Sequence, residues 1–262
     1  KLRALHAGRQ EKPLLSIADA RENAARLDFA HPAPPRPDFL GRRVVEDVTT
    51  ADLDPYIDWS FFFTTWELAG KYPKILDDPK VGAAARELFE HGREMLDQLI
   101  AERWLTPRGV YGFWPARREG DDVVLFADED LAREVARFPM LRQQAVQPEG
   151  KPNRSLADFV ASREDGVPDF IGAFAVTSGA ETEGLAARFE KELDDYRSIM
   201  LKALADRLAE AFAELLHARA RRDWGYGRDE KLDNEDLIAE RYRGIRPAFG
   251  YPARSEEHTS EL

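Results

Sequence analysis

The chain has 262 residues, of which 43% are hydrophobic and 33% charged, and its formal net charge is −11. These values are typical of a globular protein with one large domain or two small ones. The sequence contains no cysteine, which excludes disulfides, thiolate metal sites and a cysteine nucleophile. The acidic balance argues against a nucleic-acid partner, and apolar runs such as Phe170–Val176 are too short to span a membrane. No secretory signal opens the chain, so we expect a cytoplasmic location.

Residues 1–43 are predicted to be a connector that leads into a domain starting near Val44. Ser16 is a suitable N-cap for a short helix over residues 17–27, because its hydroxyl can accept a backbone N–H. A proline cluster follows, formed by Pro32, Pro34, Pro35 and Pro37. Prolines at this density enforce extended backbone and stop helices.

The next segments alternate between helical and extended patterns. An aromatic stretch over residues 56–66 is too apolar for a surface loop. Residues 81–104 carry apolar side chains near i, i+4 and i+7, which predicts an amphipathic helix. Two β-rich runs around "REGDD" within residues 109–128 predict a hairpin, and the apolar run at 169–176 predicts a buried strand.

The longest helical pattern runs from Thr182 to about Arg221. Forty helical residues would extend roughly 60 Å, so we expect one break or kink. A further helix is predicted from Asp233, as its N-cap, to Gly244. The predicted fold class is therefore α+β, with a mostly antiparallel or mixed sheet packed against long helices.

The segment "YRGIRPAFGYPA" (residues 242–253) is a candidate binding loop. Its prolines and glycines exclude a regular helix or a central strand. Arg246 offers a planar fork of donors that suits a carboxylate, Gly250 allows close backbone approach, and Tyr251 supplies an aromatic face with a polar tip. The alternative is a structural turn in which the arginine pairs with a local acid.

Other candidates also have structural alternatives. Asp58 is either a ligand-binding acid or the N-cap of the following helix. Glu210 stands in a polar column with Asp206 and Glu214, which is typical of a solvated helix face. Glu214 and His217 form one Glu-x-x-His unit, but a di-iron carboxylate site needs two such units and further ligands. The loop "TSGAETEG" lacks the lysine of a phosphate-binding loop.

These segments resemble, in order, the activation domain of cobalamin-dependent methionine synthases. The stretch "YIDWSFFFTTWELAGKYP" is similar to that family's YIDW and GKYP motifs, and "RPAFGYPA" is similar to its RPAPGYPAC signature. The hairpin, "LRQQ", "LADFVA", "DFIGAFAVTSG" and "WGYGRDEKLDNEDLIAERYRGIRPA" extend the likeness. It covers about residues 38–253.

The resemblance implies which residues hold S-adenosylmethionine (AdoMet). Arg246 would bind the ligand carboxylate, and Asp58 would hydrogen-bond its polar end. The remaining implied contacts are the backbone or ring of Ala248, Gly250 and Tyr251, and the nearby acids Glu210 and Glu240. No side chain is expected to act as acid, base or nucleophile, because the cofactors supply the chemistry.

The resemblance further implies that the domain supports reductive methylation of oxidised cobalamin. The parent enzyme would transfer a methyl group from methyltetrahydrofolate to homocysteine. The expected partners are the cobalamin-binding module of the same polypeptide and flavodoxin or a similar electron donor; zinc and cobalamin belong to other modules of the parent. The alternatives are a non-catalytic ligand-binding or docking module, without turnover of its own, and an unrelated α+β domain.

Two features depart from the family pattern. Phe249 stands where the signature has proline. After Ala253 the sequence reads "RSEEHTSEL", which is the translation of the nucleotide sequence of a common sequencing adapter. We therefore expect residues 44–253 to be a C-terminally truncated activation domain and residues 254–262 to be a non-native tail that replaces the family's Cys-Pro.

Overall fold

In a computed structural model, the described residues are 13–228, 230–232, 236 and 241–246. The chain divides into two compact units. Of the described residues, the first unit contains those within 13–40, 113–171 and 244–246, and the second contains those within 41–112 and 172–243. Both units are therefore built from stretches that are far apart in the sequence.

Helices and strands are mixed along the described chain. The helices are α1 (Ile17–Glu22), α2 (Thr50–Leu53), α3 (Trp59–Thr64), α4 (Gly82–Ala101), α5 (Thr182–Lys191) and α6 (Asp195–Trp224). The strands are β1 (Gly41–Val45), β2 (Arg108–Glu119), β3 (Asp122–Phe126), β4 (Glu134–Pro139) and β5 (Asp169–Thr177). They form one sheet in the order β1-β2-β3-β4, and β5 pairs with β2. The predicted α+β class is confirmed.

The predicted hairpin is formed by β2 and β3. These strands pair antiparallel with Glu119 opposite Asp122, which leaves a two-residue turn at Gly120 and Asp121. Gly120 has a φ of 64°, a conformation that glycine adopts without a steric penalty. β4 continues the antiparallel pairing on β3. The buried core beneath these strands contains Ala116, Val123, Leu125, Ala157 and Val160.

The helical predictions hold with shifts at their ends. The predicted helix 81–104 is α4, and the predicted helix 182–221 is broken between α5 and α6. The break contains Leu193, whose φ is 59°, and Asp194, whose side chain accepts a hydrogen bond from Arg197 N at 3.0 Å. α6 ends before Gly225, which has a φ of 98°. This left-handed glycine is a common helix terminator.

The prediction of a buried strand at 169–176 is only partly right. The strand exists as β5, but after its first two residues the side chains are half-buried or exposed. One face of this strand is therefore covered rather than both. β1 and β4 were not predicted, because their mostly exposed side chains give no apolar alternation.

The stretch predicted as a connector packs within the first unit from residue 13 onwards. Ser16 caps α1 by accepting a hydrogen bond from Asp19 N at 3.1 Å, as predicted. The helix ends at Glu22 instead of residue 27, because Asn23 turns its side chain to Asn153 Oδ1 at 2.7 Å and Lys151 O at 3.0 Å. Ala20 is completely buried.

A buried ion network joins α1 to the hairpin turn. The guanidinium of Arg142 donates to both carboxylate oxygens of Asp158, at 2.6 and 3.0 Å. Its Nε donates to Asp121 at 2.8 Å, and Arg21 reaches the other oxygen of Asp121 at 2.8 Å. The side chains of Arg142 and Asp158 are 2% and 0% exposed. These charges therefore depend on one another for compensation.

The second unit is built around α6. The fully buried side chains on this helix include Leu201, Leu204, Leu208 and Phe212. Helices α2, α3, α4 and α5 and the 3-10 turn Asp54–Tyr56 all pack against it. Within the described residues, no helix is both long enough and apolar enough to cross a membrane. Most of the helix predicted from Asp233 lies outside the described residues.

Replacing Arg142 by methionine is expected to destabilise the protein strongly. The substitution leaves Asp158 buried without its bidentate partner, and breaking such a pair costs about 3–5 kcal/mol. Urea denaturation measures the free energy of unfolding. The matched control is Arg133→Met at an exposed arginine of the same unit, where a change within about 0.5 kcal/mol is expected. Equal stability of the two variants would contradict a role of the network in folding.

The network also makes stability depend on pH through Asp121. Burial raises the pKa of this carboxyl, but the hydrogen bonds from Arg142 and Arg21 outweigh burial and lower the pKa overall. A lowered pKa stabilises the folded state above the ordinary aspartate pKa of about 4, and the gain is lost as the pH falls through the folded value. We expect Asp121→Asn to be less stable than the wild type at pH 7 and the difference to shrink below about pH 4. Denaturation at stepped pH measures this, and a constant difference would exclude the titration of Asp121.

Candidate functional site

The aromatic stretch predicted to be buried forms part of the core of the second unit. α3 buries Trp59, Phe62 and Phe63. The Trp59 ring makes edge contacts with Phe62 at 5.2 Å and with Phe89 on α4 at 4.9 Å. α4 approaches closely because a Cβ at Gly92 would lie 2.8 Å from the Phe62 ring. This packing fixes the start of α3, where Asp58 lies.

Asp58 is the N-cap of α3. Its Oδ1 accepts a hydrogen bond from Ser60 N at 2.8 Å, so the predicted capping role is correct. The carboxylate is half-buried. No donor among the described residues reaches its Oδ2. The same side chain can therefore cap the helix with one oxygen and accept a hydrogen bond from a ligand with the other.

Glu210 lies on the exposed side of α6. α3 packs against α6, and the Arg207 guanidinium lies 5.5 Å from the centre of the Phe61 ring. The elements that carry Asp58 and Glu210 therefore belong to the same packed unit. Asp206 is also exposed, as expected for a solvated polar column.

Glu214 departs from the predicted solvated column. Its side chain is only 14% exposed, and its Oε2 lies 4.0 Å from His217 Nδ1. α6 turns this end of the column toward the interior. Across the described residues, no group of three or more His, Asp and Glu side chains is arranged to hold a metal ion.

Arg246 is half-buried and belongs to the first unit. Its Nη1 atom is shielded from solvent. The other predicted ligand-binding residues, Glu240, Ala248, Gly250 and Tyr251, lie outside the described residues. Of the seven predicted site residues, the structure therefore describes Asp58, Glu210 and Arg246.

The "TSGAETEG" loop borders a cleft of about 510 Å³. The residues that line it are 176–180, Thr182, Glu183, Ala205, Asp206 and Ala209. Two carboxylates and no lysine or arginine line this cleft, so it disfavours a phosphate ligand.

A cluster at the end of α6 was not predicted from the sequence. The basic run "HARARRDW" ends α6, with Arg221 and Arg222 in the last turn, where cations complement the helix dipole. Arg221, however, is turned inward, with a side chain only 8% exposed. The buried face of α6 continues through Leu216 and His217 to Arg221. That continuation of the apolar register is the signal that could have revealed the cluster.

Comparison with known proteins identifies the family. Residues 49–262 match the model of the vitamin B12 dependent methionine synthase activation domain. A solved structure, the crystal structure of the MetH reactivation domain bound to AdoHcy, is 50% identical to the chain with a TM-score of 0.87. The match covers 91% of this chain and 73% of that one. These findings confirm the resemblance, exclude an unrelated α+β domain, and show that the chain belongs to the activation-domain family of vitamin B12-dependent methionine synthases.

Proposed function

We propose that the chain binds AdoMet and supports the reductive methylation that reactivates oxidised cobalamin in methionine synthase. The observation that carries this proposal is the family match over residues 49–262 together with a 50% identical reactivation domain that holds AdoHcy. Position and electrostatics are the protein's contribution, because bound cobalamin and AdoMet supply the electron-accepting and methyl-donating chemistry.

The proposed ligand contacts are the seven residues matched to the family motifs. Arg246 binds the ligand carboxylate with its planar guanidinium. Asp58 accepts a hydrogen bond through Oδ2 while Oδ1 remains on Ser60 N. Ala248, Gly250 and Tyr251 line the loop, and Glu210 and Glu240 place carboxylates nearby. Carboxylates suit this ligand because its sulfonium and ammonium groups are cationic.

Several wider assignments follow from the same proposal. Cobalamin would be held by a neighbouring module of the same polypeptide, and flavodoxin or a similar protein would donate the electron. Zinc would belong to another module of the parent enzyme, which would act in the cytoplasm as the methyltransferase between methyltetrahydrofolate and homocysteine. Residues 1–43 would be the connector from the cobalamin module and 44–253 the AdoMet-binding domain.

Titration calorimetry with AdoMet and with AdoHcy tests the binding proposal. We expect the folded chain to bind both ligands, and Arg246→Met to weaken the Kd at least about tenfold, since a charge-assisted hydrogen bond contributes about 1.5–3 kcal/mol. Arg133→Met is the matched control and should bind like the wild type. A folded wild-type chain that gives no binding heat, or unchanged affinity in Arg246→Met, would refute the proposal.

Two substitutions separate the capping role of Asp58 from its proposed ligand role. Serine is also a favoured N-cap, whereas alanine removes the cap at a cost of about 1 kcal/mol. We expect Asp58→Ser to keep nearly wild-type stability and to bind AdoHcy more weakly, because it lacks the carboxylate. Asp58→Ala should lose both stability and affinity. Wild-type affinity in Asp58→Ser would show that the residue is only a cap.

The alternative function, a docking module without turnover, predicts a different result in the parent enzyme. If the domain is only a docking module, it still binds AdoHcy. The parent enzyme with Arg246→Met would then still be reactivated by AdoMet at the wild-type rate. Under the proposal, label from the AdoMet methyl group reaches cobalamin in the wild type and is lost in that variant. Methyl transfer from methyltetrahydrofolate should remain, since it does not use this site.

A further inference from the structure

We propose that Arg221 is a positioning residue that fixes the start of the AdoMet-binding loop. The inference rests on the proposed function and extends it to a side chain that does not itself touch the ligand. Arg221 lies in the last turn of α6, and its contacts are with the segment that leads to Arg246.

The guanidinium of Arg221 ties two later parts of the chain to the end of α6. Its Nε donates to Glu230 Oε2 at 3.0 Å, and Nη2 donates to the other oxygen of the same carboxylate. Its Nη1 donates to the carbonyl oxygen of Arg243 at 2.8 Å. The Glu230 side chain is 23% exposed. One planar group therefore donates hydrogen bonds to both oxygens of a carboxylate and to a backbone carbonyl at the same time.

Tyr242 is held by the same turn of α6. The Arg221 guanidinium carbon lies 4.5 Å from the centre of the Tyr242 ring, and the His217 ring meets that ring edge-on at 4.9 Å. His217 and Arg221 are four residues apart, so they lie on one face of the helix. The cation–π and aromatic contacts anchor the side chain of Tyr242, while the hydrogen bond anchors the backbone of Arg243.

These contacts hold the first two residues of the candidate loop, Tyr242 and Arg243, in place. Arg246 follows Arg243 by three residues, a span of at most about 11 Å even when extended. The first of those residues, Gly244, has a φ of 101°, a conformation that favours glycine. Holding Arg243 therefore restricts the positions open to Arg246. A side chain that binds a ligand group must itself be held closely in position.

Lysine cannot reproduce this arrangement. An ammonium group is a compact charge without the planar fork that spans Glu230 and the Arg243 carbonyl. Arg221→Lys keeps the positive charge and most of the apolar stem, so its effect isolates the geometry of the guanidinium. Arg222 is an exposed arginine in the same turn. Arg222→Lys is therefore the matched control.

The test combines calorimetry with hydrogen exchange on the whole chain. We expect Arg221→Lys to weaken the Kd for AdoHcy about tenfold or more and to speed amide exchange in peptides that cover residues 241–246. Arg222→Lys should change neither quantity more than about twofold. Glu230→Gln is a second variant that keeps the arginine, and its weaker acceptor should move both readouts in the same direction by a smaller amount.

A variant that is destabilised elsewhere in the chain separates a loss of positioning from a general loss of stability. Arg142→Lys weakens the buried pair in the first unit and should lower the midpoint of unfolding without changing AdoHcy affinity at temperatures where the chain is folded. Wild-type affinity and exchange in Arg221→Lys would overturn the inference. If the wild-type chain itself failed to bind AdoHcy, the proposed function would fail, and unchanged exchange would still decide against the anchoring role of Arg221.

Discussion

The burial of α6 is the constraint on which the second unit depends. Leu204, Leu208, Phe212 and Leu216 are completely buried along this 30-residue helix. The chain elsewhere is shaped to approach it, since a Cβ at Gly109 would lie 2.9 Å from the Phe212 ring. Because one long helix contacts the other helices of the unit, the packing of α6 decides which of its side chains face the interior and which face solvent.

The packing of α3 is compatible with the proposed double role of Asp58 in capping and in ligand binding. The cap uses one carboxylate oxygen on Ser60 N, and the aromatic block of Trp59, Phe62 and Phe63 holds α3 in place through packing. The cap contributes about 1 kcal/mol, which is small beside the burial of three aromatic side chains. The proposed ligand role of Asp58 therefore places little of the stability of α3 at risk.

The parts of the fold that were predictable have local causes. The α4 pattern, the "REGDD" turn, the Ser16 cap and the break before α6 are each written in neighbouring residues, because periodicity, capping and helix length act over a few turns. β1 and β4 were missed because their side chains are largely exposed. The ion network was missed because Arg21 and Asp121 are 100 residues apart, and no local pattern encodes such a pair.

The candidate site, like the fold, could be predicted only in part from the sequence. The composition of "RPAFGYPA" indicates a shaped loop, but residue types alone could not separate a binding loop from a structural turn. The resemblance to a family is what makes the binding loop the proposal, because agreement extends over many segments in the same order. The solvated-column interpretation held for Asp206 and Glu210 and failed for Glu214, because only the tertiary packing of α6 determines where its polar face ends.

The two buried arginines show why burial alone does not assign a role. Arg142 and Arg221 each grip a carboxylate with two nitrogen atoms, and their side chains are 2% and 8% exposed. Burying such pairs gains little net stability compared with apolar packing, so specificity of structure is the better reason for having them. Arg142 contacts Asp121, Asn153 and Asp158 within the first unit, and the partners described for Arg221, Glu230 and Arg243, likewise share its own unit, the second. The partners differ in place: Arg221 holds the backbone of Arg243, which lies inside the candidate loop and three residues before Arg246. The two arginines differ in the segment that each one holds, more than in the strength of their contacts. Arg142 holds loops of the first unit, whereas Arg221 holds residues that lead to Arg246.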